Sequence, residues 1–94
     1  MGKLGLRIKD LRLAQGLGVR EFAAKLQKSP GYISRVEGRG EIPSPEFLCQ
    51  ASNVLEVPPE ELLELAKADV LERTREVIGR RHTEALSLFR RKNK

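Results

Sequence analysis

The chain has 94 residues, which is enough for one compact domain and an appended segment. Its aromatic content of 4% and its lack of tryptophan argue against the aromatic stacking surfaces of RNA-recognition and single-strand-binding domains. The single cysteine, Cys49, excludes an intramolecular disulfide and a cysteine-rich zinc site. Neither a signal-peptide pattern nor an apolar run of membrane-spanning length is visible, so we expect a reduced, cytoplasmic protein without membrane contact.

Charge is distributed unevenly along the chain. The net charge is +5, but residues 1–40 carry +6, residues 41–76 carry −6 and residues 77–94 carry +5. A basic surface suits phosphate contact, because each neutralised phosphate releases condensed counterions. We therefore expect the first 40 residues to face nucleic acid and the acidic middle to face away. The basic end, residues 90–94, suits either phosphate contact or a disordered, solubilising terminus.

Helical periodicity recurs three times within the first 40 residues. The apolar spacing predicts helices over about residues 3–15, 19–26 and 30–37. Ser29 followed by Pro30 is typical of an N-cap and a first helical residue, which marks the start of the third helix. The three polar residues 27–29 give the spacing between two helices that is typical of a helix-turn-helix motif.

Helical signals continue through the second half of the chain. A cap followed by proline at residues 44–45 predicts a fourth helix, and a pair of prolines at residues 58–59 predicts the start of a fifth. Asp69, with Glu72 three residues later, resembles a capping box and predicts a separate sixth helix to about Arg90. No strand pattern is present, so the predicted fold class is all-α.

A set of motif residues runs without a gap through residues 11–63. Its members are Leu11-Arg12, Gly16-Leu17, Glu21-Phe22-Ala23, Leu26, Ser29, Tyr32-Ile33-Ser34-Arg35, Glu37, Pro43-Ser44, Leu48, Ala51, Leu55 and Leu62. This set resembles the Cro/CI-type (XRE-like, lambda-repressor-like) helix-turn-helix DNA-binding family. The resemblance implies a five-helix DNA-binding bundle over residues 1–66. Beyond it, the spacing of apolar residues predicts a C-terminal amphipathic helix within residues 67–94. The resemblance also implies a transcriptional regulator that binds double-stranded DNA.

The resemblance assigns roles within the motif. Residues 30–37 would enter the major groove as the recognition helix, and residues 19–27 would cross the DNA backbone. Arg35 is the main candidate for base recognition, because its guanidinium can bond guanine O6 and N7 together. Two positions depart from the family: Val19 replaces a polar residue that contacts phosphate, and Gly31 replaces a frequent base-reading side chain. The expected DNA-binding residues are Arg20, Lys28, Ser29, Pro30, Gly31, Tyr32, Ser34, Arg35 and Arg39.

Several single residues receive structural interpretations. By the resemblance, Arg12 and Glu37 form an ion pair that links the first helix to the end of the recognition helix. Cys49 is expected at a core or boundary position, with redox sensing as the alternative. His82 has no partner at ligand spacing, so we expect no metal site. No nucleophile–base pair, phosphate loop or catalytic carboxylate pair is visible, and we expect neither enzymatic activity nor a cofactor.

The predicted C-terminal helix has an apolar stripe about 120° wide. The stripe contains Val70, Leu71, Thr74, Val77, Ile78, Ala85, Leu88 and Phe89. Because the bundle closes without it, we expect a homodimer through residues 69–90. The alternatives are a tail folded back on its own bundle and a helix that breaks at Gly79. Arg81 interrupts the stripe and could pair with a carboxylate across the interface.

The sequence thus predicts a dimeric repressor that reads the major groove with residues 30–37. The alternative is an antitoxin-type or controller-type adaptor, in which the bundle or the tail binds a protein partner.

Overall fold

The computed structural model of the chain describes residues 2–92, with the side chains of residues 2–90. It contains five helices, α1 (Lys3–Ala14), α2 (Val19–Lys25), α3 (Pro30–Gly38), α4 (Pro45–Leu55) and α5 (Pro59–Lys92). No strand occurs within the described range, and the predicted all-α fold class is confirmed. Residues 93 and 94 of the basic end lie outside the described residues.

Local signals set the starts of the middle helices as predicted. The Ser29 hydroxyl accepts a hydrogen bond from the Tyr32 backbone N–H at 3.1 Å, and the Ser44 hydroxyl does the same for Phe47 at 3.2 Å. A proline follows each cap at the first helical position, where a missing N–H removes no hydrogen bond. Between α2 and α3, Gln27 adopts a φ of 56°, which turns the chain sharply into the third helix.

Buried apolar side chains from all five helices form one core. The core residues are Leu4, Ile8, Phe22, Ala23, Leu26, Ile33, Val36, Phe47, Leu48, Ala51, Leu55, Leu62 and Ala66. Each large side chain buried in this way stabilises the fold by about 1.5–3 kcal/mol. The core ends at Ala66, so the first two turns of α5 belong to the core of the bundle.

The predicted capping box at Asp69 is wrong. Helix α5 runs through this position without a break, and the buried Asp69 carboxylate caps α1 instead. Its oxygens accept hydrogen bonds from the backbone N–H groups of Lys3 at 3.1 Å and Leu4 at 3.0 Å. Gly2, at the N-cap position of α1, supplies no side-chain acceptor. The carboxylate therefore satisfies two free N–H groups and faces the positive end of the α1 dipole.

Beyond Arg73, the last described residue of α5 with a hydrogen bond to the bundle, the helix extends away from the bundle. Residues 70–90 are all exposed, so the described part of α5 does not fold back on its own bundle. The helix also continues through Gly79, where a break was one alternative. The molecule measures 62 × 25 × 20 Å as a result. Although α5 is long, no helix among the described residues is both long and apolar enough to cross a membrane.

The cap predicts a specific pattern of stability changes. We expect Asp69→Ala to lower the free energy of unfolding by about 1–2 kcal/mol, because two N–H groups of α1 lose their acceptor. Asp69→Asn should cost less, since the amide oxygen still accepts one hydrogen bond. Urea unfolding followed by circular dichroism, at one fixed protein concentration, measures both changes.

Glu72→Ala is the matched control for this experiment, because a capping box would need the Glu72 side chain whereas the observed cap does not. We expect it to leave the unfolding free energy unchanged. A loss as large as that of Asp69→Ala would contradict the assignment of Asp69 to α1.

Candidate nucleic-acid interface

The two faces of α3 differ in character. Ile33 and Val36 are buried in the core, which turns Ser34 and Arg35 toward solvent. Pro30 and the cap residue Ser29 are exposed at the N-terminal end of the helix. An isolated polar face over an apolar one is the expected pattern of a helix packed on a core. The exposed face of α3 is therefore available to a binding partner on this side of the protein.

The Tyr32 ring is the centre of a small basic cluster. The ring packs edge-on against Phe47, with centroids 5.2 Å apart, which fixes its position against the core. Lys28 Nζ lies 5.3 Å and Arg35 Cζ lies 5.7 Å from the ring centroid. Both distances are within the range of cation–π attraction. The half-buried tyrosine therefore holds two cations, one from the turn before α3 and one from the last turn of α3.

An exposed carboxylate that the sequence interpretation missed faces this cluster. Glu41 Oε1 lies 3.3 Å from Arg35 Nε, and both side chains are exposed, at 40% and 47%. Burial raises the pKa of the Tyr32 hydroxyl above its ordinary value; the Glu41 charge adds to this effect and Arg35 opposes it. An exposed ion pair of this kind contributes only about 0–1 kcal/mol. Arg35 is thus oriented by Glu41 but can leave it at little cost.

The other predicted DNA-binding residues lie at separate points of the same motif. Arg20 is exposed in the first turn of α2, and Arg39 is exposed directly after α3. Arg39 borders a cleft between the turn at Gly40 and helix α5, where the Arg73 guanidinium donates a hydrogen bond to the Gly40 carbonyl. The structure groups Lys28, Tyr32 and Arg35, whereas Arg39 follows one turn after Arg35, at the C-terminal end of α3. Contact of these residues with DNA stays a prediction.

The Arg12–Glu37 ion pair is present and buried. Arg12 Nε donates to Glu37 Oε2 at 2.9 Å and Nη2 donates to Oε1 at 3.0 Å, with exposed fractions of 5% and 7% for the two residues. Arg12 Nη1 also donates to the Leu17 carbonyl at 2.8 Å. The hydrogen bonds to Glu37 raise the pKa of the Arg12 guanidinium; burial opposes this effect, and the Glu37 charge adds to it. The pair joins α1, the loop after it and the end of α3.

Gly5 makes this close packing of α1 on α3 possible. A Cβ atom at Gly5 would lie 2.5 Å from the Val36 carbonyl oxygen and 2.8 Å from that of Glu37. Such distances are well inside van der Waals contact. The backbone of α1 therefore crosses the end of α3 at a point where a side chain does not fit.

Two residues to which the sequence analysis gave no functional role lie in ordinary surface environments. Cys49 is exposed on α4, so its expected core or boundary position is wrong. The buried face of α4 is formed instead by Phe47, Leu48, Ala51, Ser52 and Leu55. His82 is exposed on α5. No group of three His, Cys, Asp or Glu side chains in the described part of the chain could hold a metal ion.

The fold and motif are those of helix-turn-helix DNA-binding transcriptional regulators. A family model described as a helix-turn-helix domain matches residues 3–65, and the chain belongs to this family. The resemblance predicted from residues 11–63 is thereby confirmed. A search of curated proteins gave no match.

Solved structures of regulators are similar to the chain. SinR, a master regulator for biofilm formation crystallised with DNA, has 36% identity and a TM-score of 0.59, over 64% of this chain and 97% of that one. The clp gene regulator ClgR from Corynebacterium glutamicum has 28% identity and a TM-score of 0.60, over 82% and 83%. A complex of SinR and SinI proteins also matches, with 28% identity and a TM-score of 0.60, over 97% and 99%.

Breaking the buried ion pair is expected to cause a large loss of stability, and replacing both charged residues with apolar ones is expected to recover most of it. We expect Glu37→Ala to lower the free energy of unfolding by roughly 3–5 kcal/mol, because it leaves the Arg12 charge buried without a partner. Replacing both residues, Arg12→Met with Glu37→Leu, should recover most of this loss. Urea unfolding measures both variants, and Glu41→Ala, which breaks only an exposed pair, is the control. A loss for Glu37→Ala no larger than that of the control would contradict the prediction.

The crossing at Gly5 predicts opposite effects for two glycines. Gly5→Ala should lower the melting temperature, because its Cβ meets backbone atoms that cannot move without shifting α3. Gly38→Ala should leave it unchanged or raise it slightly, since a Cβ there meets open space in a helical turn. Thermal unfolding of the two variants checks this contrast. Equal melting temperatures would show that α1 and α3 are not tightly packed at Gly5.

Proposed function

We propose that this protein is a sequence-specific double-stranded DNA-binding regulator that acts as a dimeric repressor, with α3 in the major groove. The observation that carries the proposal is the exposed face of α3, with Ser34 and Arg35 outward over the buried Ile33 and Val36. A groove of B-DNA about 12 Å wide admits such a helix. The 36% identity to SinR, which was crystallised with DNA, supports the same use of the motif here.

Arg35 is the proposed base-reading residue. In the free protein its guanidinium is paired with Glu41 and stacked near Tyr32. On binding it would exchange the exposed Glu41 carboxylate for guanine O6 and N7, a bidentate contact worth about 1–3 kcal/mol of base discrimination. Ser34 can bond a base or a phosphate, and Pro30 can touch a thymine methyl group. Gly31 offers no side chain for base recognition.

The remaining basic residues are proposed phosphate contacts. Lys28 is held over the Tyr32 ring at the start of α3, and Arg20 is exposed in the first turn of α2. Arg39 directly follows α3, at its C-terminal end. Such contacts fix the register of the protein on the duplex without reading its sequence. The Ser29 hydroxyl, which accepts from Tyr32, can still donate its own proton to a phosphate oxygen.

Dimerisation through α5 is part of the proposal. The predicted interface residues are Val70, Leu71, Val77, Ile78, Ala85, Leu88 and Phe89, and all are exposed. Burying apolar side chains against a second copy is favourable. A two-fold pair also presents two recognition helices to successive half-sites about 34 Å apart. We assign DNA binding to residues 1–66 and dimerisation to residues 67–94, and we place the protein in the cytoplasm.

A protein-binding adaptor is the second candidate function. It is favoured by the match to the SinR and SinI complex, which extends over 97% of this chain and so includes the tail. Gly31 has no side chain that could contact DNA, and Val19 at the start of α2 is apolar. Both features reduce the number of possible base and phosphate contacts. In this case the bundle or α5 would bind a different protein.

Selection of bound sequences from a random duplex library tests the two candidates. We expect the wild-type protein to enrich a half-site, and Arg35→Ala to lose sequence preference at one position of it, with a roughly 5–150-fold drop in affinity for the preferred base. Arg7→Ala is the matched control, since Arg7 is also exposed and paired with one carboxylate, Glu61 at 2.8 Å, but lies on α1. It should leave the preference unchanged.

Two other outcomes would overturn parts of the proposal. No enrichment of any sequence at moderate salt would favour the adaptor. An equal loss of affinity for all sequences in Arg35→Ala would make Arg35 a phosphate contact.

A further inference from the structure

The exposed part of α5 carries apolar side chains in heptad spacing. Steps of three and four residues connect a row that we call the seam, which consists of Leu71, Thr74, Ile78, Arg81, Ala85 and Leu88. This is the a/d pattern of helices that pair side by side. Three of its members are large and open to solvent, Leu71 at 49%, Ile78 at 61% and Leu88 at 58% exposed.

The seam lies on a different side of α5 from the bundle. The residues that face the bundle are Leu62, Ala66, Asp69 and Arg73, through the core, the α1 cap and the Gly40 carbonyl. At 3.6 residues per turn the seam is centred about 120° around the helix from these residues. The bundle therefore cannot cover the seam of its own chain.

The order of side chains along the seam is nearly the same from either end. Leucines stand at both ends, Leu71 and Leu88, with small residues next, Thr74 and Ala85. The two central positions, Ile78 and Arg81, lie on either side of a midpoint between Gly79 and Arg80. When two copies run in opposite directions about that midpoint, leucine meets leucine and small side chain meets small side chain. A sequence of this kind is self-complementary in the antiparallel direction.

We propose that α5 pairs with a second copy of this chain as an antiparallel two-fold helix pair centred between Gly79 and Arg80. The proposal rests on the dimer of the proposed function and specifies its direction and register. Each seam residue then faces its mirror position, so that Leu71 packs on Leu88 of the second copy and Thr74 on Ala85.

The charge of Arg81 favours this direction over the parallel one, because each Arg81 then faces Ile78 of the second copy instead of the other Arg81. In a parallel pair, Arg81 would face Arg81 of the second copy, which places two like charges in the seam. The flanking positions would not compensate, because they would pair Val70 with Arg75, Val77 with His82 and Glu84 with Phe89. In the antiparallel pair, the aliphatic part of Arg81 packs on Ile78 of the second copy. Its guanidinium reaches the edge of the seam, one turn from Glu84 of its own helix.

The antiparallel direction also separates the two bundles along the helix pair, as binding to two half-sites requires. It places the two bundles at opposite ends of the helix pair, with the two Asp69 residues about 32 Å apart along the axis at 1.5 Å per residue. Successive major grooves on one side of DNA are about 34 Å apart. A parallel pair would instead put the two Asp69 residues side by side, about 10 Å apart.

Disulfide trapping tests the register in the full-length chain, with Cys49→Ser as the background. Chains carrying only Thr74→Cys are mixed with chains carrying only Ala85→Cys and are oxidised gently. We expect a covalent dimer from the mixture and none from either variant alone, because the two positions face each other only in the antiparallel register. Both positions are exposed on α5 outside the bundle, so the substitutions leave the core intact.

Ser87→Cys mixed with Thr74→Cys is the control, since Ser87 lies on the far side of α5 from the seam. It should give no more covalent dimer than random collision does. Covalent dimers from Thr74→Cys alone and from Ala85→Cys alone would show a parallel pair and overturn the proposal. A monomeric mass in solution together with no trapping would overturn the dimer as a whole, whereas DNA binding would still be judged by the Arg35 selection experiment.

Discussion

The buried ion pair between Arg12 and Glu37 is the contact on which the proposed DNA-binding side of this protein depends. Through three hydrogen bonds Arg12 joins α1, the Leu17 carbonyl in the following loop and the end of α3. Gly5 lets the α1 backbone approach α3 closely enough for this geometry. Because a single buried charge without its partner is costly, the pair behaves as a fixed link. The outward direction of Arg35 follows from the position in which that link holds α3.

Helix α5 connects the bundle to the proposed dimer as one rigid element. Asp69 caps the first helix, and Arg73 one turn later donates a hydrogen bond to Gly40 in the turn after α3. The seam begins within this same stretch of the helix, at Leu71. The orientation of each bundle is therefore fixed relative to the helix that would pair with a second copy. A continuous helix transmits this orientation better than the two separate helices that the sequence predicts.

Much of the fold could be predicted because its signals are local. Ser29 and Ser44 act on an N–H three residues later, so their caps can be recognised within a few residues of sequence. The Asp69 cap joins residues 66 positions apart, and nothing near Asp69 reveals it. The same holds for Glu41, which meets Arg35 only because the chain turns after α3. Sequence patterns thus fail to predict the contacts that depend on tertiary packing. One of these is the contact of Glu41 with Arg35, the main base-reading candidate.

The Asp69 cap also bears on how the protein forms during synthesis. The N–H groups that it satisfies belong to Lys3 and Leu4, which are translated well before it. At translation rates of about 5–20 residues per second, Asp69 follows them by roughly 3–13 seconds. During this interval α1 has no acceptor at its N-terminal end, and Leu62 has yet to complete the core. Helix α1 is therefore synthesised before α5 but completed only after it, and the packing of α1 on α3 waits for α5.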